Sequence, residues 1–212
     1  MINDHPIFLE SINFIRSKLE KNNFNSIEVK VLERLIHTSG DFSIQKLLKF
    51  SNGACAIGMQ ALKLHAPLLT DTDMAAAAVK SMAQNTHGND VFSVKSWIDN
   101  NLGLTTTKTA YGMEKAWFEI SKKYLDKASP IVIFGSSPTA LEKLLDILEN
   151  SDIKPSLIIG MPVGFIGVEK SKKRLIESGY PYIVLESTRG GAAMAGATIN
   201  ALLRESFLID FN

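Results

Sequence analysis

Three short apolar runs, IVIFG at 131–135, SLIIG at 156–160 and PYIVLE at 181–186, constrain this chain most. Each gives way to a polar loop and then to a helix-forming segment. An uninterrupted apolar strand has no side to turn towards water, so both faces of its sheet must be covered. Strands joined through helices satisfy that demand as a mainly parallel sheet between two helical layers. The expected architecture is a three-layer α/β/α domain of flavodoxin-like strand order, with residues 1–212 forming one domain.

The rest of the chain supplies helices for the two outer layers. Phe8, Ile12, Ile15 and Leu19 recur at helical spacing and predict an amphipathic helix over 7–20. A second helix starts at Ser26, its candidate N-cap, and ends at Gly40, which leaves His37 near a helix terminus. Residues 54–65 read as a helix leading into an APLLT strand. The small side chains of Ala75–Ala78 suit a helix packed closely on a sheet. DVFSV at 90–94 reads as a strand inside an otherwise irregular connection at 83–107. Ala110, Met113, Ala116, Trp117, Ile120 and Tyr124 form a helical stripe over 110–124, which reads as a core face. Ser137 and Pro138 have the chemistry of an N-cap and a first helical position.

Composition removes several function classes. Lys plus Arg total 23 against 22 Asp plus Glu, a net charge of +1, which gives no broad field for nonspecific nucleic-acid binding. The opening MINDHPIFLE lacks a basic segment followed by a long apolar run, so no secretory leader is expected and the location reads as cytoplasmic. Apolar stretches are broken by Pro, Gly or charge before they reach membrane-spanning length, so no membrane partner is expected. Cys55 is the single cysteine, which excludes an internal disulfide and reads as a small buried residue. His5, His37, His65 and His87 are too dispersed for a compact metal-ligand pattern, and no transition-metal site is indicated.

In an open parallel sheet, ligands bind at the carboxyl ends of the strands. That rule gathers GSSPTA (135–140), GMPVGF (160–165) and ESTRGG (186–191) around one crevice. Ser136 and Ser137 can turn hydroxyls and backbone donors towards an anion at a helix start, or simply cap a turn. Gly160 and Gly164 permit close approach of backbone to a large planar ligand, or satisfy a turn. GMPVGF lacks the phosphate-loop lysine and the dinucleotide GxGxxG spacing. Arg189, beside Gly190 and Gly191, can hold a carboxylate through a two-pronged contact or be solvated at the surface, and Lys108 can hold an anion as a point charge or decorate a loop. Lys170, Lys172, Lys173 and Arg174 read as a solvated helix face. His37 can exchange a proton near neutral pH or serve a structural or surface role, and Asp41 could orient its ring or cap the following turn.

RLIHTSGD (34–41), FSNGACAIGMQAL (50–62), TDTDMAAAAV (70–79), VIFGSSPTAL (132–141), LIIGMPVGFIGVEKSK (157–172) and TRGGAAMAGATINAL (188–202) resemble, in order, the signatures of the precorrin-8X and cobalt-precorrin-8 methylmutases. The resemblance implies an isomerase of corrin biosynthesis that moves a methyl group from ring carbon C11 to C12 without an external donor or cofactor. Any cobalt belongs to the polycarboxylated corrinoid substrate. His37 matches the family's acid/base histidine, and Ser11 matches a polar substrate-contact position. Thr38, Lys108, Ser136, Ser137, Gly160, Gly164, Arg189, Gly190 and Gly191 complete the substrate-binding set expected on this basis. A homodimer with each site near the subunit interface is also implied. The chain has GSSPTA where the family has GNAPTA, and Lys108 where it has arginine, keeping the charge without the planar fork. TDTDMAAAAV is smaller than the family's DxxMVxxGI form. A corrinoid-binding relative without isomerase activity and a nucleotide- or flavin-binding α/β protein are the alternatives.

Overall fold

The computed structural model describes residues 5–98 and 106–209. Its elements run α1 (Pro6–Lys18), α2 (Ser26–Ser39), β1 (Leu48–Phe50), α3 (Ala54–Lys63), β2 (Leu68–Thr70), α4 (Asp73–Asn85), β3 (Val91–Ser93), α5 (Lys108–Lys123), β4 (Ile131–Phe134), α6 (Pro138–Glu149), β5 (Leu157–Gly160), α7 (Val168–Glu177), β6 (Tyr182–Leu185) and α8 (Ala192–Ile209). Short 3-10 turns cover Phe42–Lys46 and Val94–Trp97.

The strands lie in the order β1-β6-β5-β4-β2-β3. All pairings are parallel except that of β1 with β6. Read without β1, the parallel strands follow the flavodoxin-like 2-1-3-4-5 order. The reversal of that order falls between β2 and β4, where adjacent connections leave in opposite directions and open a crevice.

Alternation along the strands separates two cores. Leu68, Ile131, Ile133, Leu157, Ile159, Ile183 and Leu185 point into one, shared with α2, α3, α4 and α8. Leu69, Val132, Phe134, Ile158 and Val184 point into the other, under α5, α6 and α7. Trp117, Met113 and Ile120 are at most 1% exposed, and the whole stripe expected on 110–124 is buried.

Several local expectations are corrected. Asn25, not Ser26, caps α2: its side chain accepts from the amides of Ile27 and Glu28 while Glu28 reaches back to the Asn25 amide. The alanine run of α4 packs on another helix as well as on the sheet, and a Cβ on Gly196 of α8 would lie 2.7 Å from the Ala78 Cβ. The connection at 83–107 is more regular than expected through residue 98, with helix to Asn85, strand and 3-10 turn; its residues 99–105 lie outside the described residues. β1 has no counterpart in the sequence reading. It fastens residues 47–50 to the edge of β6, with Glu186 donating its amide to the Leu47 carbonyl at 2.9 Å.

Candidate active site at the strand carboxyl ends

The loops leaving β4, β5 and β6 touch one another, as the parallel sheet requires. The Gly164 amide donates to the Thr188 carbonyl at 3.0 Å, and the Gly191 amide to the Met161 carbonyl at 2.9 Å. Only glycine fits at 190, where φ is +157° and a Cβ would lie 2.1 Å from the Met161 carbonyl oxygen. A Cβ at Gly135 would lie 2.6 Å from the Ala192 Cα, so the start of α8 rests on the GSSPTA loop. Gly160 serves packing instead: a Cβ there would lie 2.6 Å from Leu175 Cδ2 of α7.

The GSSPTA loop does bind an anion, and the anion is internal. Asp71, at the end of β2, is 1% exposed. Its Oδ2 accepts from the amides of Gly135 (3.1 Å), Ser136 (2.6 Å) and Ser137 (2.8 Å). Burial raises the Asp71 pKa, opposed by the amides of Ser136, Ser137 and Gly135 and by the Thr72 hydroxyl. The amides expected to face a ligand are therefore committed within the protein. The Ser137 hydroxyl caps α6 through the Ala140 amide at 3.2 Å and meets the Thr109 hydroxyl at 2.7 Å. Thr107 and Thr139 meet at 2.7 Å. These hydroxyls hold the start of α5 against the start of α6 and leave Lys108, between the two threonines, exposed beside the loop.

His37 lies in the last turn of α2, exposed, with its ring edge-on to Phe8 at 5.2 Å between centroids. It shares a cleft of about 470 Å³ with Ser11, Glu10, Phe14 and Phe42, so the structure brings Ser11 and His37 together. The Ser11 hydroxyl donates to the Ile7 carbonyl within α1, and Thr38 donates to the Arg34 carbonyl within α2. Asp41 is a turn cap. Its carboxylate accepts from the Ser43 amide at 2.8 Å and pairs with Arg189, whose guanidinium also donates to the Ser43 hydroxyl at 2.6 Å. Ser43, followed by Arg189, holds the Asp41 carboxyl below its ordinary range. The Asp41–Arg189 pair ties the segment after His37 to the β6–α8 loop, and β1 fixes that segment's course along β6.

Sequence reasoning missed two supporting residues. Asp71 was hidden in TDTDM, where an acid before a helix reads as surface. Lys172 was assigned to a solvated face but is 1% exposed, and its Nζ donates to the carbonyls of Ser187 (2.8 Å) and Arg189 (2.5 Å). Burial pushes its pKa down to about 8, opposed by Glu169. Arg174 of the same run bridges Glu142, Asp146 and Glu149 on α6. Lys170 and Lys173 are exposed as expected.

The fold and its loop cluster define a flavodoxin-like α/β protein whose polar groups gather at the carboxyl edge of the sheet. The family model described as "Precorrin-8X methylmutase" matches residues 6–205, and the chain belongs to that family. Among its relatives, a precorrin-8X methylmutase of Pseudomonas aeruginosa is 34% identical over 206 residues, covering 94% of each chain. A cobalt-precorrin-8 methylmutase of Synechocystis sp. is 30% identical over 215 residues, covering 94% of this chain and 95% of the relative. The crystal structure of a precorrin-8x methyl mutase from Thermus thermophilus superposes with a TM-score of 0.83 at 29% identity, covering 94% of this chain and 95% of that one. No helix among the described residues is long and apolar enough to cross a membrane.

Proposed function

We propose that the chain is a methylmutase that binds precorrin-8X or cobalt-precorrin-8 and moves a methyl group from C11 to C12, forming hydrogenobyrinate or cobyrinate. The C11–methyl bond breaks as the C12–methyl bond forms, so substrate and product have the same composition and no donor is consumed. His37 acts as the general acid/base. It lends a proton to the conjugated macrocycle as the skeleton rearranges and recovers it on release. Its exposure beside Ser11 in one cleft is the observation that carries this role.

The remaining groups hold the substrate. Arg189 and Lys108 face its carboxylates, Thr38 and Ser136 contribute hydroxyls, Ser137 supports the loop as the cap of α6, and the glycines at 164, 190 and 191 let backbone come close to the ring. Phe165 and Ile166, 87% and 89% exposed at the tip of the β5–α7 loop, supply apolar surface for the macrocycle. Orientation of a bound, anchored ring is the larger part of the rate enhancement in this scheme. Cobalt, when present, enters with the substrate. The working assembly is a homodimer with a site near each subunit interface.

Incubation of the purified protein with the metal-free and the cobalt-containing substrates, followed optically and by NMR of the migrated methyl, tests the assignment. Methyl relocation on either substrate without an added donor supports it. Binding of both without relocation replaces it with a corrinoid-binding role.

A further inference from the structure

Within the function proposed above, we infer that Lys172 is a positioning residue: it folds the β6–α8 loop so that Arg189 is presented to substrate beside the His37 segment. A lysine buried this completely must have its ammonium fully solvated by protein groups. Among the described residues no carboxylate bonds it. The ammonium instead draws together two carbonyls of one loop, those of Ser187 and Arg189. Carbonyls two residues apart converge on one point only if the chain turns sharply between them. Ser187 accordingly takes the left-handed conformation, φ +65°, which a residue with a Cβ rarely adopts without support.

The consequence is directional. With the carbonyls of 187 and 189 turned inward to Lys172, the Arg189 side chain leaves the other way and reaches Asp41 and Ser43. Gly191 continues the same turn back to the Met161 carbonyl. The buried ammonium thus sits under a loop that joins the β5–α7 loop to the segment after His37. Its neighbours Lys170 and Lys173 project into solvent and have no such role.

The test compares wild type with K172M, which keeps the apolar stem and removes the donors, and with K172R, which keeps charge and donors. K172M is expected to speed hydrogen exchange at residues 187–191 of the unliganded protein while β4 and β5 stay protected. It is expected to raise KM about tenfold or more with kcat within about twofold, the loss of a charge-assisted contact that holds rather than transforms the substrate. In an R189A background the same change is expected to add little to KM, because both act through one contact. K172R recovers part of the exchange protection and of the affinity. Unchanged exchange at 187–191, or a KM penalty that multiplies in full onto that of R189A, overturns the role. Should K172M fail to fold, K172Q, which keeps a shorter donor, carries the same comparison. Absence of turnover by wild type on both substrates contradicts the methylmutase assignment, while the exchange result still decides the role of Lys172.

Discussion

The Oδ2 atom of Asp71 lies 2.6 Å from the amide nitrogen of Ser136, at the point where the strand order reverses. In open α/β sheets that crevice is where an anionic ligand group commonly sits. Here the side chain of Asp71, just past β2, fills it and holds the start of α6, with Ser137 and its threonine partners, in place. Asp71→Ala leaves three enclosed amides without an acceptor and is expected to destabilise the protein by about 3 kcal/mol. The emptied nest should then take up a small oxyanion. Inorganic phosphate is expected to raise the melting temperature of D71A and leave wild type unchanged; equal shifts in both would contradict the internal-anion account.

Asp41 carries an acid-side prediction. Ser43 and Arg189 hold its pKa below the unfolded value, so its contribution is present above the ordinary carboxylate range and is lost as pH falls through the lowered folded value. Asp41→Asn is expected to remove that part of the acid dependence of stability. Denaturant titrations of both proteins from neutral to strongly acid pH check it, and parallel curves would count against the pairing.

Lys172 carries the opposite window. Its folded pKa near 8 lies below the ordinary lysine value, so from about pH 8 to about 10.5 the unfolded chain binds more protons and stability rises with pH. Below that window the burial penalty is complete. Relative to K172M, wild type is expected to gain up to about 3 kcal/mol across the window. A flat difference curve would show that the ammonium is not desolvated.

Arg174, two positions along the same helix, serves as the contrast. It joins α7 to three carboxylates of α6. Arg174→Ala is expected to lower stability by about 1–2 kcal/mol with kcat/KM unchanged. Thermal melts and kinetics on one preparation separate this role from that of Lys172.

The helices and parallel strands were legible because burial on both sides of a sheet forces apolar runs, and helical spacing survives in Ala110 to Tyr124. The grouping of the GSSPTA, GMPVGF and ESTRGG loops followed from the same topology. β1 was not legible: Leu48–Phe50 is a three-residue edge strand, and its pairing is set by the neighbouring β6 rather than by its own pattern. The burial of Lys172 escaped for a related reason. Lysines two residues apart on a helix differ only in what lies opposite, and the carbonyls of Ser187 and Arg189 are contributed by a loop more than ten residues away. His37 stood out by its proton chemistry, while its acid/base role and the choice of Ser11 came from resemblance, and their shared cleft needed α1 packed on α2.

The most direct measurement is the single-turnover rate of methyl relocation in wild type and His37→Ala, each first shown to be saturated with substrate. The account predicts that H37A binds the corrinoid with little loss and relocates the methyl at least about a hundredfold more slowly, the usual scale of a lost general acid/base. An undiminished rate in H37A would contradict it.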